Sequence, residues 1–263
     1  MKRLIFITLF FSVVSIMNVF SSDKNIRIAL VQAKLELGDV DANIKSFEQR
    51  VSSCRECDII VFPELFTSGC EMKVKDKIKA RDMKDSVAER YQDVISNMRK
   101  WAKKSGALVI GSTIYKENDK YYNRLLAVSP DGSFKIYDKH NCFKKGAFSP
   151  GEEKLILEWK SIRMATFICY DLRFPEWSRN KNNYDIALYI ANWPSSRSDD
   201  WNNLLKERAK ENKAFVVAVN CVGEDRNGTV YKGESCVIAP DGNLTEKCED
   251  FKEEIKIVEL NLN

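Results

Sequence analysis

From residue 25 onward, short apolar runs rich in β-branched residues alternate with polar stretches whose apolar residues recur every three or four positions. This alternation is typical of layered α/β proteins. Most of the runs are apolar on both faces, which indicates strands that are covered on both sides, as inside an α/β sandwich. The predicted strands are 26–31, 58–62, 107–112, 125–129, 133–137, 162–168, 185–191, 214–220, 235–239 and 256–260.

Helices and turns are predicted between these strands. The predicted helices are 40–54, 85–104, 175–180 and 199–213, and Ser105-Gly106 would end the second. Pro130-Asp131-Gly132 and Pro240-Asp241-Gly242 lie between predicted strands and indicate hairpin turns. With 263 residues and 44% hydrophobic content, the chain can bury one large core. We therefore expect one α/β domain over 25–263.

The N-terminus has the layout of a secretory signal peptide. Lys2 and Arg3 precede an uncharged apolar stretch from Leu4 to Phe20. This stretch is short for a helix that spans a bilayer, which needs about 20 residues. We predict a leader over 1–22 and an exported or periplasmic protein. If the leader is not cleaved it would anchor the chain in a membrane, and a cytoplasmic location is the alternative.

Charge and cysteine content argue against several kinds of partner. The 42 basic and 38 acidic residues are spread along the chain, and the densest basic run, 73–81, lacks interleaved aromatic residues that could stack on bases. We therefore predict no nucleic-acid partner. Cys54 and Cys57 have CxxC spacing, but no second CxxC follows and His140 is the only histidine. A zinc site is not expected. If one of the eight cysteines stays reduced for catalysis, the remaining seven cannot all pair within the chain.

Three reactive side chains come just after apolar runs that are predicted to be strands. They are Glu64, Lys139 and Cys169. Open α/β sheets usually assemble their sites where strands end. Taken singly, Glu64 and Lys139 could be surface charges and Cys169 a small buried hydrophobic residue. Their sequence context favours a shared site.

That context resembles the nitrilase, or carbon-nitrogen hydrolase, superfamily. Cys-Tyr-Asp-Leu-Arg-Phe-Pro-Glu at 169–176, Ala-Asn-Trp-Pro at 191–194 and Arg-Ala-Lys-Glu-Asn at 208–212 look like the consecutive blocks around the nucleophile of that family. The Asn-Trp-Pro sequence, together with Asn227-Gly228, Tyr231 and Gly233, is most similar to the omega-amidases, which act on 2-oxo-dicarboxylic acid monoamides.

The resemblance implies a fold and a mechanism. The fold is a four-layer αββα sandwich, and the catalytic triad is carried onto Glu64, Lys139 and Cys169. Glu64 would be the base for the Cys169 thiol, and Lys139 with the backbone N–H of Tyr170 would stabilise the oxyanion. The product would form through a cysteine thioester, without a metal or an organic cofactor. The resemblance also implies a homodimer.

Other residues are candidates for substrate binding. Phe66 and Trp193 are expected to wall the pocket. Arg173 is a candidate for binding a substrate carboxylate, or else for an ion pair that shapes the loop after Cys169.

The chain departs from the family pattern between Lys139 and Gly151. Family members typically carry a second glutamate there, whereas 140–149 contains no carboxylate and is shorter than in omega-amidases. The expected function is hydrolysis of a small carboxylate-bearing amide, with 2-oxoglutaramate and 2-oxosuccinamate as the leading substrates. The alternatives are an amidase or N-carbamoyl hydrolase of other specificity, and a catalytically impaired member that serves as a binding protein.

Overall fold

The computed structural model describes residues 24–70, 75–143 and 146–262, so the predicted leader lies outside the described residues. The strands are β1 (Asn25–Gln32), β2 (Ile59–Val61), β3 (Leu108–Glu117), β4 (Lys120–Val128), β5 (Phe134–Asp138), β6 (Ile156–Trp159), β7 (Ile162–Ile168), β8 (Ile186–Ala191), β9 (Phe215–Asn220), β10 (Val222–Glu224), β11 (Val230–Lys232), β12 (Cys236–Ile238), β13 (Leu244–Lys247) and β14 (Glu254–Asn261). The α-helices are α1 (Val40–Ser53), α2 (Lys77–Glu89), α3 (Tyr91–Ser105), α4 (Pro175–Ser178) and α5 (Ser198–Asn212). Two 3₁₀ helices cover Cys169–Arg173 and Ser195–Arg197.

The region predicted as one helix over 85–104 contains two helices, so that prediction is wrong in its extent. The Asp76 side chain accepts hydrogen bonds from the N–H groups of Ile78 and Lys79 and starts α2 there. Arg90 separates α2 from α3, and Gly106, with φ of 72°, ends α3 as predicted. Only Val87 of α2 is buried, which explains why the sequence showed no apolar periodicity before residue 85.

Two six-stranded sheets organise the chain. The first has the order β14-β1-β2-β3-β4-β5 and the second β13-β12-β9-β8-β7-β6. The neighbours β1, β2 and β3 are parallel, as are β7, β8 and β9, while the outer pairs in both sheets are antiparallel. Both Pro-Asp-Gly sequences form hairpin turns, one between β4 and β5 and the other between β12 and β13.

The sheets pack face to face, and the helices cover their outer faces. Residues on one face of the first sheet, such as Ile28, Val61 and Leu125, share a buried cluster with residues of the second sheet. The opposite face of the first sheet packs on α1 and α3 in a separate cluster. Trp201 and Leu205 on α5 cover the second sheet. This is the predicted four-layer αββα sandwich, and none of the helices within the described residues is long and apolar enough to cross a membrane.

Candidate active site

The structure brings the three predicted reactive residues together at the ends of three strands. Glu64 follows β2, Lys139 follows β5 and Cys169 follows β7. The side chains are buried, with only 3%, 5% and 9% of each residue exposed. Lys139 Nζ donates to Glu64 Oε1 over 2.7 Å. All three residues line one cavity of about 440 Å³, which is large enough for a small-molecule ligand.

The Glu64 carboxylate is held by donors on both oxygens. Asn123 Nδ2 on β4 donates to Oε1 over 2.7 Å, and the backbone N–H of Asn192, just after β8, donates to Oε2 over 2.8 Å. The hydrogen bonds come from both sheets. Because both oxygens are engaged, the carboxylate has a fixed orientation beside the Cys169 thiol, with which it also interacts.

Burial sets the charge states of the other two residues. Burial, and then the nearby Glu64 carboxylate, raise the pKa of the Cys169 thiol, and the Lys139 ammonium only partly opposes this. Burial alone would lower the pKa of Lys139, but the ion pair with Glu64 outweighs it and raises that pKa. At neutral pH the site therefore holds a protonated thiol, which needs a base, and a charged ammonium, which can stabilise an anion.

A buried carboxylate fixes the backbone around Cys169, whose φ of 47° lies in the left-handed region. Asp171 accepts hydrogen bonds from the N–H groups of Ile168 and Asn141, over 3.0 and 2.7 Å, and from the Tyr137 hydroxyl over 2.6 Å. These contacts tie the end of β5 to the end of β7. Asp171 therefore positions Lys139 relative to Cys169. Asp171 lies in the block at 169–176 that carries the family resemblance, but nothing in the sequence indicated this positioning role.

The remainder of the cavity is aromatic and cationic. Its charged lining residues are Glu64, Lys77, Arg81, Lys84, Lys139 and Arg197, so Glu64 is the only carboxylate among the described lining residues. Tyr170, Phe143, Phe148 and Trp193 provide aromatic walls. The lining favours a small ligand that carries a negative charge and an apolar body.

Of the three predicted substrate-binding residues, only Trp193 lines the cavity. Trp193 lines the cavity, whereas Phe66 is fully buried in the core under α1, where its ring contacts Phe47 and Phe62. Arg173 pairs with Asp200 and does not line the cavity. This ion pair agrees with the alternative role for Arg173, an ion pair that shapes the loop after Cys169.

Part of segment 140–149, which lacks the second glutamate of the family, lies in the cavity wall. Cys142, Phe143, Ala147 and Phe148 from this segment line the cavity, and His140 stacks on Trp177 outside it, with ring centroids 3.6 Å apart. Lys144 and Lys145 lie outside the described residues.

Two buried asparagine residues that donate hydrogen bonds to Glu64 have side-chain amides with unused hydrogen-bonding capacity. Asn123 Oδ1 and both side-chain polar atoms of Asn192 have no partner among the described residues. Buried polar atoms are normally paired, so these amides are suited to bind water or substrate. Neither side chain was assigned a role from the sequence: Asn123 carried no signal there, and Asn192 was noted only as part of the Asn-Trp-Pro sequence.

Comparisons with known proteins agree with this fold and site. The family model described as carbon-nitrogen hydrolase matches residues 27–263. Over 223 residues, 83% of each chain, the sequence is 40% identical to "Omega-amidase YafV" of Escherichia coli (strain K12). It is 31% identical over 226 residues to "2-oxoglutaramate amidase" of Bacillus subtilis (strain 168), covering 82% of this chain and 84% of the relative.

A solved structure shares the architecture. A CN-hydrolase superfamily protein from Xanthomonas campestris, crystallised with an arsenic adduct in its active site, superposes with a TM-score of 0.83 and 32% identity. The match covers 90% of this chain and 91% of that chain. Fold and site thus define an α/β hydrolytic enzyme of the nitrilase superfamily. The chain belongs to the carbon-nitrogen hydrolase family, as its sequence blocks predicted.

Proposed function

We propose that this protein is an omega-amidase, which hydrolyses the terminal amide of a 2-oxo-dicarboxylic acid monoamide to the acid and ammonia. The leading substrates are 2-oxoglutaramate and 2-oxosuccinamate. The observation that carries the proposal is the buried set of Glu64, Lys139 and Cys169 in a cavity whose other charged lining residues, among those that the structure describes, are all cationic. The names of two relatives, omega-amidase and 2-oxoglutaramate amidase, support the same substrate class.

In the first half-reaction, Glu64 takes the thiol proton of Cys169 as Sγ attacks the amide carbon. The carbonyl oxygen becomes an oxyanion, for which the Lys139 ammonium and the Tyr170 N–H are the donors. Glu64 then gives its proton to the leaving nitrogen. The carbon-nitrogen bond breaks, ammonia departs and the acyl group remains on Cys169 as a thioester.

In the second half-reaction, water attacks the thioester. Glu64 takes a proton from this water and returns it to the departing sulfur, which yields the carboxylic acid and restores the thiol. Asn123 Oδ1 and the side-chain amide of Asn192, which have no partner among the described residues, belong to residues that line the same cavity and can hold this water.

The missing carboxylate also supports a second candidate, a catalytically impaired member that binds an amide or acid without turnover. An active amidase or N-carbamoyl hydrolase of other specificity is the third, supported by the shortened segment 140–149, from which residues 142, 143 and 146–148 line the cavity.

Ammonia release from 2-oxoglutaramate by the full chain, beside its Cys169→Ala variant, tests these candidates. The control is Cys236→Ala, which removes another buried thiol in β12, away from the cavity. We expect turnover by the wild type and the control, and none by Cys169→Ala. Turnover of other amides alone would favour another specificity. A folded wild type without turnover on any amide, which still binds 2-oxoglutarate, would favour the impaired member.

Two further properties belong to this proposal. We propose a homodimer, which light scattering would contradict by giving the mass of a monomer. We also propose export through the leader over 1–22, and a native chain that retains Met1 in the cytosol would contradict it.

A further inference from the structure

Arg197 lies in the wall of the catalytic cavity, where neighbouring residues hold it. It ends the short 3₁₀ helix that follows Trp193 and Pro194. Its guanidinium carbon lies 4.8 Å from the ring centroid of Phe143 and 5.7 Å from that of Trp193. The indole N–H of Trp193 donates to the Arg197 carbonyl over 2.8 Å. The two aromatic rings therefore hold the side chain, and the hydrogen bond fixes the backbone from which it projects.

Among the described residues, the Arg197 guanidinium has unused hydrogen-bonding capacity. Within the described residues no carboxylate forms an ion pair with Arg197, and its buried Nε has no hydrogen-bond partner. Arg173 provides the contrast, because it lies 5.1 Å from the same Trp193 ring but pairs with Asp200. A buried donor without an acceptor is costly, so a pocket arginine of this kind is suited to a ligand that supplies the acceptor.

Of the other cations that line the cavity outside the Glu64–Lys139 pair, Lys77 and Arg81 are exposed, and the half-buried Lys84 is already engaged. Lys84 Nζ donates to the carbonyl of Ala147 over 3.0 Å and lies 4.2 Å from the ring centroid of Tyr121. These contacts fasten α2 to the segment after residue 145. Lys84 thus has a structural task, whereas the hydrogen-bonding groups of Arg197 remain available.

We propose that Arg197 binds the carboxylate at the end of the substrate opposite the scissile amide and thereby selects dicarboxylic acid monoamides. This inference rests on the proposed function and assigns it a specificity-determining residue. The planar guanidinium can give two parallel hydrogen bonds to a carboxylate, and the flanking rings limit its rotation. A neutral amide would leave the buried Nε donor without an acceptor, so it would be disfavoured.

The test compares Arg197→Gln with Arg197→Lys on a charged and a neutral substrate. We expect Arg197→Gln to lower kcat/KM for 2-oxoglutaramate by roughly 10- to 150-fold, the range for a lost charged hydrogen bond. The value for pentanamide should change by less than about threefold, and Arg197→Lys should restore part of the loss. Arg99→Gln is the matched control, because Arg99 also lies over an aromatic ring, that of Phe134, but far from the cavity.

Three results would overturn the inference. One is an equal loss on both substrates, which would indicate a structural role. The others are a larger selective loss in Arg173→Gln or in Lys84→Gln, which would move the subsite to that residue.

A binding measurement keeps this inference separate from the proposed function. Calorimetry measures the affinity of 2-oxoglutarate for the Cys169→Ala variant, with and without Arg197→Gln. We expect the second substitution to weaken binding by at least about tenfold. If the wild type does not hydrolyse 2-oxoglutaramate, the proposed function fails, while the calorimetric result still decides whether Arg197 binds the carboxylate. An unchanged Kd would overturn that assignment.

Discussion

Removing one partner of the buried Glu64–Lys139 pair should destabilise the whole fold, and removing both should restore part of the loss. The two side chains are almost fully buried, and their charged atoms are 2.7 Å apart. Glu64 is the only hydrogen-bond acceptor of the ammonium among the described residues. Glu64→Gln therefore leaves a buried cation without an anion, and Lys139→Met leaves a buried carboxylate with only neutral donors. Either change should cost roughly 3–5 kcal/mol of unfolding free energy.

Thermal unfolding monitored by tryptophan fluorescence measures this cost. For a chain of this size, about 2–4 °C of Tm corresponds to 1 kcal/mol, so each single variant should melt roughly 6–20 °C lower. In the variant that carries both substitutions, the second change should cost at least about 2 kcal/mol less than it does alone, because no unpaired charge remains. Turnover cannot make this distinction, since we expect all three variants to be inactive.

The reasoning is refuted if the two single substitutions are additive. It is also refuted if either one lowers Tm by less than about 3 °C, since the pair would then be no more coupled than an exposed salt bridge.

Three further predictions concern residues around the site and in the core. Gly151→Ala should abolish most activity and cost about 1–3 kcal/mol, because a Cβ there would lie 2.3 Å from the carbonyl oxygen of Asp138, next to Lys139; activity and Tm that both match the wild type would contradict this. Tyr137→Phe removes the hydroxyl that donates to the buried Asp171, and should cost about 1.5–3 kcal/mol in urea unfolding. Burial raises the pKa of the Cys236 thiol to about 12 in the folded chain. Above the ordinary pKa of a cysteine, the unfolded chain has released the thiol proton while the folded chain keeps it. The unfolding free energy therefore falls as pH rises. Between about pH 9 and 10.5, the unfolding free energy of Cys236→Ala should therefore fall with pH less steeply than that of the wild type, by about 1.4 kcal/mol per pH unit. Urea unfolding at several pH values measures this slope, and equal slopes for the two proteins would contradict the burial argument.

Sequence patterns predicted the parts of the fold that are buried on both faces. Runs such as those of β1, β7 and β8 contain mostly apolar residues, and the structure places them in the interior of the sheets. Four strands were missed, namely β6, β10, β11 and β13, because they are short or exposed and exist through pairing with a neighbour. The last of them, Leu-Thr-Glu-Lys at 244–247, has no apolar pattern of its own.

The site was predictable where a reactive residue follows a buried strand. Cys169 and Glu64 meet this condition, and their sequence blocks carried the family resemblance. Asn123 was not predictable, because its contact with Glu64 joins residues 59 positions apart. The choice between Arg173 and Arg197 likewise depends on Asp200, which pairs with the first and leaves the second facing the cavity. Such pairings are decided by tertiary packing.

The pairing of β1 with β14 has a consequence for the order in which this protein can fold. The two strands pair over eight positions, from Asn25 opposite Asn261 to Gln32 opposite Glu254. β14 leaves the ribosome after every other strand that the structure describes, so the edge of β1 that pairs with β14 stays open until then. β1 is also the neighbour of β2, which carries Glu64 at its end. A nascent chain that stops before Glu254 should therefore expose an apolar strand edge that can recruit other chains, and the Glu64 carboxylate gains its complete supporting sheet only when β14 is in place.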